Sequence, residues 1–132
     1  MIQKSKQRID ELDAKIVGSL EEALGIPVFQ DHVTEDEFKE NLKGKYRYII
    51  FETGGMKRAE NKQYTLIQDV LIRLYAEGLP NVDHLQIDVI HTLEKNGYVF
   101  VSSDKTAIQK GKEDAYVDEV EFSFTRAIKY VC

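Results

Sequence analysis

Residues 116–131 constrain this chain most, because apolar and polar side chains alternate there over a longer stretch than anywhere else. Val120, Phe122, Phe124, Ile128 and Tyr130 fall on one side; Glu119, Glu121, Ser123, Thr125 and Lys129 fall on the other. A period of two over that length is the pattern of a half-buried antiparallel strand. Such a strand needs neighbours along its edges and an apolar layer over one face. Arg126 interrupts the apolar side, and in the sequence it reads as a strand end, a subunit edge or a bulge.

Other segments supply those neighbours. Residues 46–53 are aromatic and β-branched, and Gly54-Gly55 is expected to end that strand. Residues 64–77 alternate again, with Leu66, Gln68, Val70, Ile72 and Leu74 on one face and Thr65, Asp69, Arg73 and Glu77 on the other with Ile67 and Leu71. The two segments predict an antiparallel hairpin whose tip, residues 54–63, is a long polar loop. Val28-Phe29 and residues 98–101 read as shorter extended pieces. Residues 102–114 are polar, either a loop or a strand with ragged pairing.

Two segments read as amphipathic helices. Near the N-terminus Ile9, Leu12, Ile16, Leu20 and Ala23 form an apolar stripe, stopped by Gly25 and Pro27. This stripe is expected to pack on the chain's own sheet. The second helix carries Val82, Leu85, Val89 and Leu93 on one side. Asn81 stands at its N-cap position, Asp83 in its first turn, Lys95 in its last, and Asn96-Gly97 at its end. Between them, Thr34 with Glu37 three residues later forms a capping box for a short helix ending at Gly44. The acids among residues 35–40 are then explained by the positive end of the helix dipole. The expected class is α+β: a mostly antiparallel sheet with an N-terminal helix and a second long helix packed on one face, in one domain spanning residues 1–132.

The chemistry-bearing residues are few. His84, Asp88 and His91 share the outer face of the second helix, and two imidazoles with a carboxylate can ligate zinc or iron. That face lies opposite the apolar stripe, so it is read as solvated, and neither a metal nor any other cofactor is expected. His32 is a lone loop histidine. The single cysteine, Cys132, is the last residue, which leaves no intrachain disulfide and no fixed nucleophile. Gly54-Gly55-Met56-Lys57 lacks the spacing of a phosphate loop, and Ser102-Ser103-Asp104 is turn chemistry. No catalytic residue emerges, so the chain is not expected to be an enzyme. A net charge of −5 argues against general nucleic-acid binding. No signal peptide or apolar run of membrane-spanning length is present, so folding in a cytoplasm is expected. What remains is a contact surface. Gly54, Gly55, Met56, Lys57, Arg58 and Lys62 lie in a tip with three basic residues against Glu60.

The layout, with residues 46–53, the helix end Lys95-Asn96-Gly97-Tyr98 and the closing segment from Val120 to Tyr130, resembles the small tail-terminator proteins of long-tailed bacteriophages. These are also called tail-completion, head–tail joining or minor capsid proteins, and the lambda tail terminator is the familiar member. The resemblance covers about residues 20–131 and rests on layout rather than on a chemical motif. It implies a structural phage or prophage protein that forms a homo-oligomeric ring, six-membered in this family. Such a ring caps the tail tube and then meets the head-side connector protein. Its location would be the virion neck, after assembly in a bacterial host cytoplasm. It implies self, tube protein and connector as partners, with no membrane and no sequence-specific nucleic acid. The acidic stretch among residues 35–40 has no counterpart in that pattern. Other readings are another neck component, an adaptor or stopper between portal and tail, and a metal-dependent enzyme built on His84, Asp88 and His91.

Overall fold

Alternation in the strands and three- to four-residue spacing in the helices gather most of the buried apolar side chains on the same side of one sheet. The computed structural model describes residues 2–109 and 116–130. Cys132, Val131 and the last part of the polar segment at residues 102–114 lie outside the described residues. The order is α1 (Ile2–Leu24), β1 (Val28–Gln30), a short helical turn (Glu37–Asn41), β2 (Arg47–Arg58), β3 (Thr65–Glu77), α2 (Val82–Lys95), β4 (Val99–Gln109) and β5 (Tyr116–Lys129). The five strands form one open sheet in the order β1-β2-β3-β5-β4. Only the β1–β2 pair is parallel. The fold is α+β, with both helices packed on one face of the sheet.

That face is the core. Ile49 and Phe51 of β2, Val70, Ile72 and Leu74 of β3, and Val120, Phe122 and Phe124 of β5 are buried beneath Ile16 and Leu20 of α1 and Val89 and Leu93 of α2. On α1 the stripe turns slightly from its expected line: Ala23 is exposed, and Leu24 packs on the core instead. The capping box forms in both directions, with the Glu37 amide donating to Thr34 Oγ1 and the Thr34 amide to Glu37 Oε1, each at 3.1 Å. The turn then widens to π geometry, the Leu42 amide reaching the Glu37 carbonyl at 3.1 Å. At the head of α2 the expected side-chain cap is absent. Asn81 adopts left-handed geometry (φ 55°) and makes no side-chain capping bond. Its carbonyl instead accepts the His84 amide at 2.9 Å. The far end closes as expected: Gly97 takes φ 91°, and the Tyr98 amide reaches the Leu93 carbonyl at 3.0 Å.

Two readings of the sequence are corrected and one open alternative is decided. Gly54-Gly55 does not end the strand, because β2 continues to Arg58, paired with β3 through a register shift between Thr53 and Met56. Glycine tolerates the close approach there: a Cβ on Gly54 would stand 3.3 Å from Asp69 Cβ. Of the two readings open for the polar segment, residues 102–109 take the strand one, with Ser102 facing Ser123 and Gln109 facing Tyr116. They are polar because β4 is an edge strand, with half its surroundings in water. Arg126 is neither a strand end, nor an edge, nor a bulge. It sits in unbroken register opposite Gln68 in the central β3–β5 pair and is buried.

The second face of the sheet carries no helix. At one end an aromatic cluster covers it: Tyr48 stacks obliquely on Tyr75 at 4.8 Å, and Phe38 of the short turn lies 4.8 Å from Tyr46. Burial pushes the Tyr48 phenol up to about 12, and Tyr75, Tyr46 and Glu119 add to the shift by repelling a phenolate. The fold therefore favours the neutral phenol. Its contribution to stability is full below the ordinary value of 10.0 and is lost as pH rises through about 12. A spectroscopic titration is expected to show the buried tyrosines ionising late, Tyr48 foremost with Tyr75 and Tyr98 also raised, in step with alkaline unfolding. If all seven tyrosines titrate together near the ordinary value while the fold is intact, the burial argument fails.

Candidate functional site

The β2–β3 tip is a continuation of the sheet, not a loose loop. Gly54, Gly55, Met56, Lys57 and Arg58 lie within β2, with Met56 opposite Gln68, Lys57 opposite Ile67 and Arg58 opposite Leu66. The turn itself spans residues 59–64. It is held by the Ala59 amide on the Thr65 carbonyl at 3.0 Å and by left-handed Asn61 and Tyr64. Of the expected contact residues only Lys62 is in the turn. The strand register adds a cation that sequence proximity hid: Lys129 of β5 lies opposite Thr65. The tip therefore gathers Lys57, Arg58, Lys62 and Lys129 against Glu60.

Arg58 is the least free of these. It donates through Nη1 to the Tyr130 hydroxyl, and its guanidinium lies 5.5 Å from the centre of that ring. Tyr130 in turn meets Tyr64 edge-on at 5.6 Å. Lys57 and Lys62 form no ion pair among the described residues. With Lys129, which likewise forms no ion pair among the described residues, they are the tip cations left to face a partner.

Beyond the tip, the helix-free face holds a shallow groove of about 380 Å³ lined by Leu71, Val101 and Ser123, with Glu52 and Asp69 on its rim. Next to it Arg73 of β3 bridges Glu52 of β2 and, at 3.4 Å, Glu121 of β5. These two carboxylates hold the Arg73 charge above its ordinary range against the cost of partial burial. Asp104 stands directly across from Glu121, so the row carries more negative charge than one guanidinium balances. The register shift between Phe100 and Ser102 turns Val101 outward, and Val99 and Val101 are 61% and 60% exposed.

Arg126 anchors the opposite, helix-covered face. It is 3% exposed; Nε donates to Gln68 Oε1 at 3.0 Å, and Nη1 donates to Asp13 Oδ1 of α1 at 2.8 Å and to the Tyr98 hydroxyl at 3.3 Å. Gln68 passes the chain on through Nε2 to the Gly54 carbonyl at 3.0 Å. Burial raises the Tyr98 phenol, while the hydrogen bond and charge of Arg126 oppose that rise. Arg126 Nη2 has no hydrogen-bond partner among the described residues. The network ties α1, the central strands and the glycine-containing bulge to one cation. The signs of it in the sequence were two polar residues on apolar stripes, Arg126 and Gln68.

His84, Asp88 and His91 are exposed on α2. Among the described residues no three His, Cys, Asp or Glu side chains converge on a possible ion position. Ser103 Oγ donates to Gln86 at 2.9 Å, and Lys105 pairs with Asp83 at 2.8 Å, so β4 is tied to α2 through polar contacts. That lysine holds the Asp83 carboxyl below its usual range by hydrogen bonding and charge. No helix among the described residues is long and apolar enough to cross a membrane.

The fold and its surfaces define a two-layer α+β domain with one sheet face bare and a basic hairpin tip at one end. Compared with known proteins, the chain matches no family model and no curated protein sequence.

Proposed function

We propose that this is a structural protein of a phage or prophage that caps the tail tube and joins tail to head as a ring-shaped homo-oligomer. The observation that carries the reading is a single sheet with one helix-covered face and an opposite face that no long helix covers. A long hairpin projects from it with exposed Met56 and Tyr64 among cations, and a second exposed apolar pair, Val99 and Val101, lies on the sheet. Exposed apolar side chains rimmed by charge suit protein contact. In this reading a ring ends tube growth by shape: one face matches the tube subunit and the other accepts no further copy. The tube protein and the head-side connector are then its partners, and the neck of the virion is its location. No reaction and no cofactor are needed.

Electron microscopy of the purified protein, alone and mixed with tail tubes, tests this. Rings in solution or at tube ends are expected, together with tubes that no longer elongate. Lys57→Glu with Lys62→Glu is expected to reduce joining of tails to heads about tenfold while circular dichroism stays unchanged, as for loss of charge steering at a contact rim. Tubes that elongate normally in the presence of the folded protein would overturn the reading.

A further inference from the structure

Four of the five large apolar side chains exposed among the described residues fall into two places: Met56 and Tyr64 at the hairpin tip, and Val99 and Val101 beside the groove on the bare face. The tip pair sits among Lys57, Arg58, Lys62 and Lys129. The groove pair sits beside Asp69, Glu52, Glu121 and Asp104, with Arg73 as the one cation among them. Each surface is thus apolar at its centre, and their rims carry opposite charge. We infer that the hairpin tip of one copy docks into the bare-face groove of the next, and that this head-to-tail contact builds the assembly. The inference rests on the ring reading above and names the surfaces that would form it.

Geometry makes the contact intermolecular. The turn ends at Thr65, six positions and about 20 Å from Leu71 in the groove along the same strand, while Lys57 at the base of the tip, opposite Ile67, stands two positions from Asp69. β3 is paired on both sides over that length, so a copy cannot fold its own turn back onto its own groove. Two different patches meeting in this way make a heterologous contact, which closes into a ring when the rotation between copies closes. The negative face also explains how an acidic protein keeps a basic tip: opposite charges speed the correct encounter, and like charges reject tip-to-tip and face-to-face pairing.

The test uses two charge-reversed forms of the full chain. One is Lys57→Glu with Lys62→Glu, which makes the tip acidic. The other is Asp69→Lys with Val101→Lys and Asp104→Lys, which sets Arg73 and three new lysines against Glu52 and Glu121 and makes the groove basic. All five positions are exposed, and circular dichroism checks that both forms fold. Each form alone is expected to assemble about tenfold more weakly than the original, read by light scattering on a sizing column and by rings at tube ends. An equimolar mixture is expected to assemble again, because acidic tips then meet basic grooves and basic tips meet acidic ones. Assembly of the original should weaken with salt. If each reversed form assembles as the original does, or the mixture gains nothing, the self-contact is overturned. Should those forms make normal rings yet fail to join tubes or heads, tip and groove serve the partner proteins, and the ring reading survives without this inference. An original chain that forms no ring in solution or on tubes overturns both.

Discussion

Asp13→Ala is expected to destabilise the domain by about 3–5 kcal/mol, the usual cost of leaving a buried cation without its counter-charge. Asp13 holds Arg126 across 113 positions of sequence, and the two side chains are 18% and 3% exposed. With the carboxylate gone, Gln68 and Tyr98 still touch the guanidinium, but neither carries negative charge. Arg126→Met should cost less, about 1–2 kcal/mol, because it removes the buried charge and fills its space with a flexible chain, while Gln68 and Tyr98 each lose one hydrogen-bond partner. The half-buried Asp13 can then turn toward water. Urea unfolding followed by circular dichroism gives both values, and hydrogen exchange should report early opening of α1 in Asp13→Ala. If Arg126→Met proves more damaging than Asp13→Ala, the guanidinium acts by packing and hydrogen bonding, and the ion pair is not the tie.

Phe122→Ala is expected to cost about 4 kcal/mol, within the range for emptying a large aromatic site in a packed core. Phe122 is fully buried at the centre of β5, opposite Ile72 of β3 and Ser103 of β4, with the ring of Phe124 6.3 Å away. The sheet beneath is continuous hydrogen-bonded backbone, and the helices above are held by Ile16, Leu20, Val89 and Leu93. The cavity can therefore close only slightly. Against a total stability of about 5–15 kcal/mol for a domain, the change should lower the melting temperature sharply without shifting strand register. Phe122→Leu should recover more than half of the loss. A cost under about 1 kcal/mol would mean that the layer can collapse onto the gap, contrary to the packing described.

Much of the architecture was legible from local pattern. Alternation in residues 64–77 and 116–131 identified both central strands and their buried faces, since a strand exposes alternate side chains to different surroundings. The three- to four-residue spacing identified both helices, and the Thr34–Glu37 box was readable because capping depends on neighbours three residues apart. The boundaries set by long-range pairing were less visible. Gly54-Gly55 reads as a stop in isolation, yet β3 supplies partners on the far side and carries β2 to Arg58. The polar residues 102–109 have no strand pattern of their own and become a strand because β5 offers its edge.

The candidate surfaces divide in the same way. The basic residues of the tip were visible in the chain, but Lys129 joins them only through the register of β5, and Arg58 turns out to be held by Tyr130. Nothing in the local sequence marks the groove, because Glu52, Asp69, Val101 and Ser123 come from four different strands. By itself the sequence determined which residues could be helix or strand and which side of each seeks the core, since propensity and amphipathic spacing act between near neighbours. Only the tertiary structure decided that Arg126 is a buried tie rather than an edge, and that scattered acids and valines form one rim. Charge pairing and burial depend on distance in space, and strand pairing brings distant positions together independently of their separation along the chain.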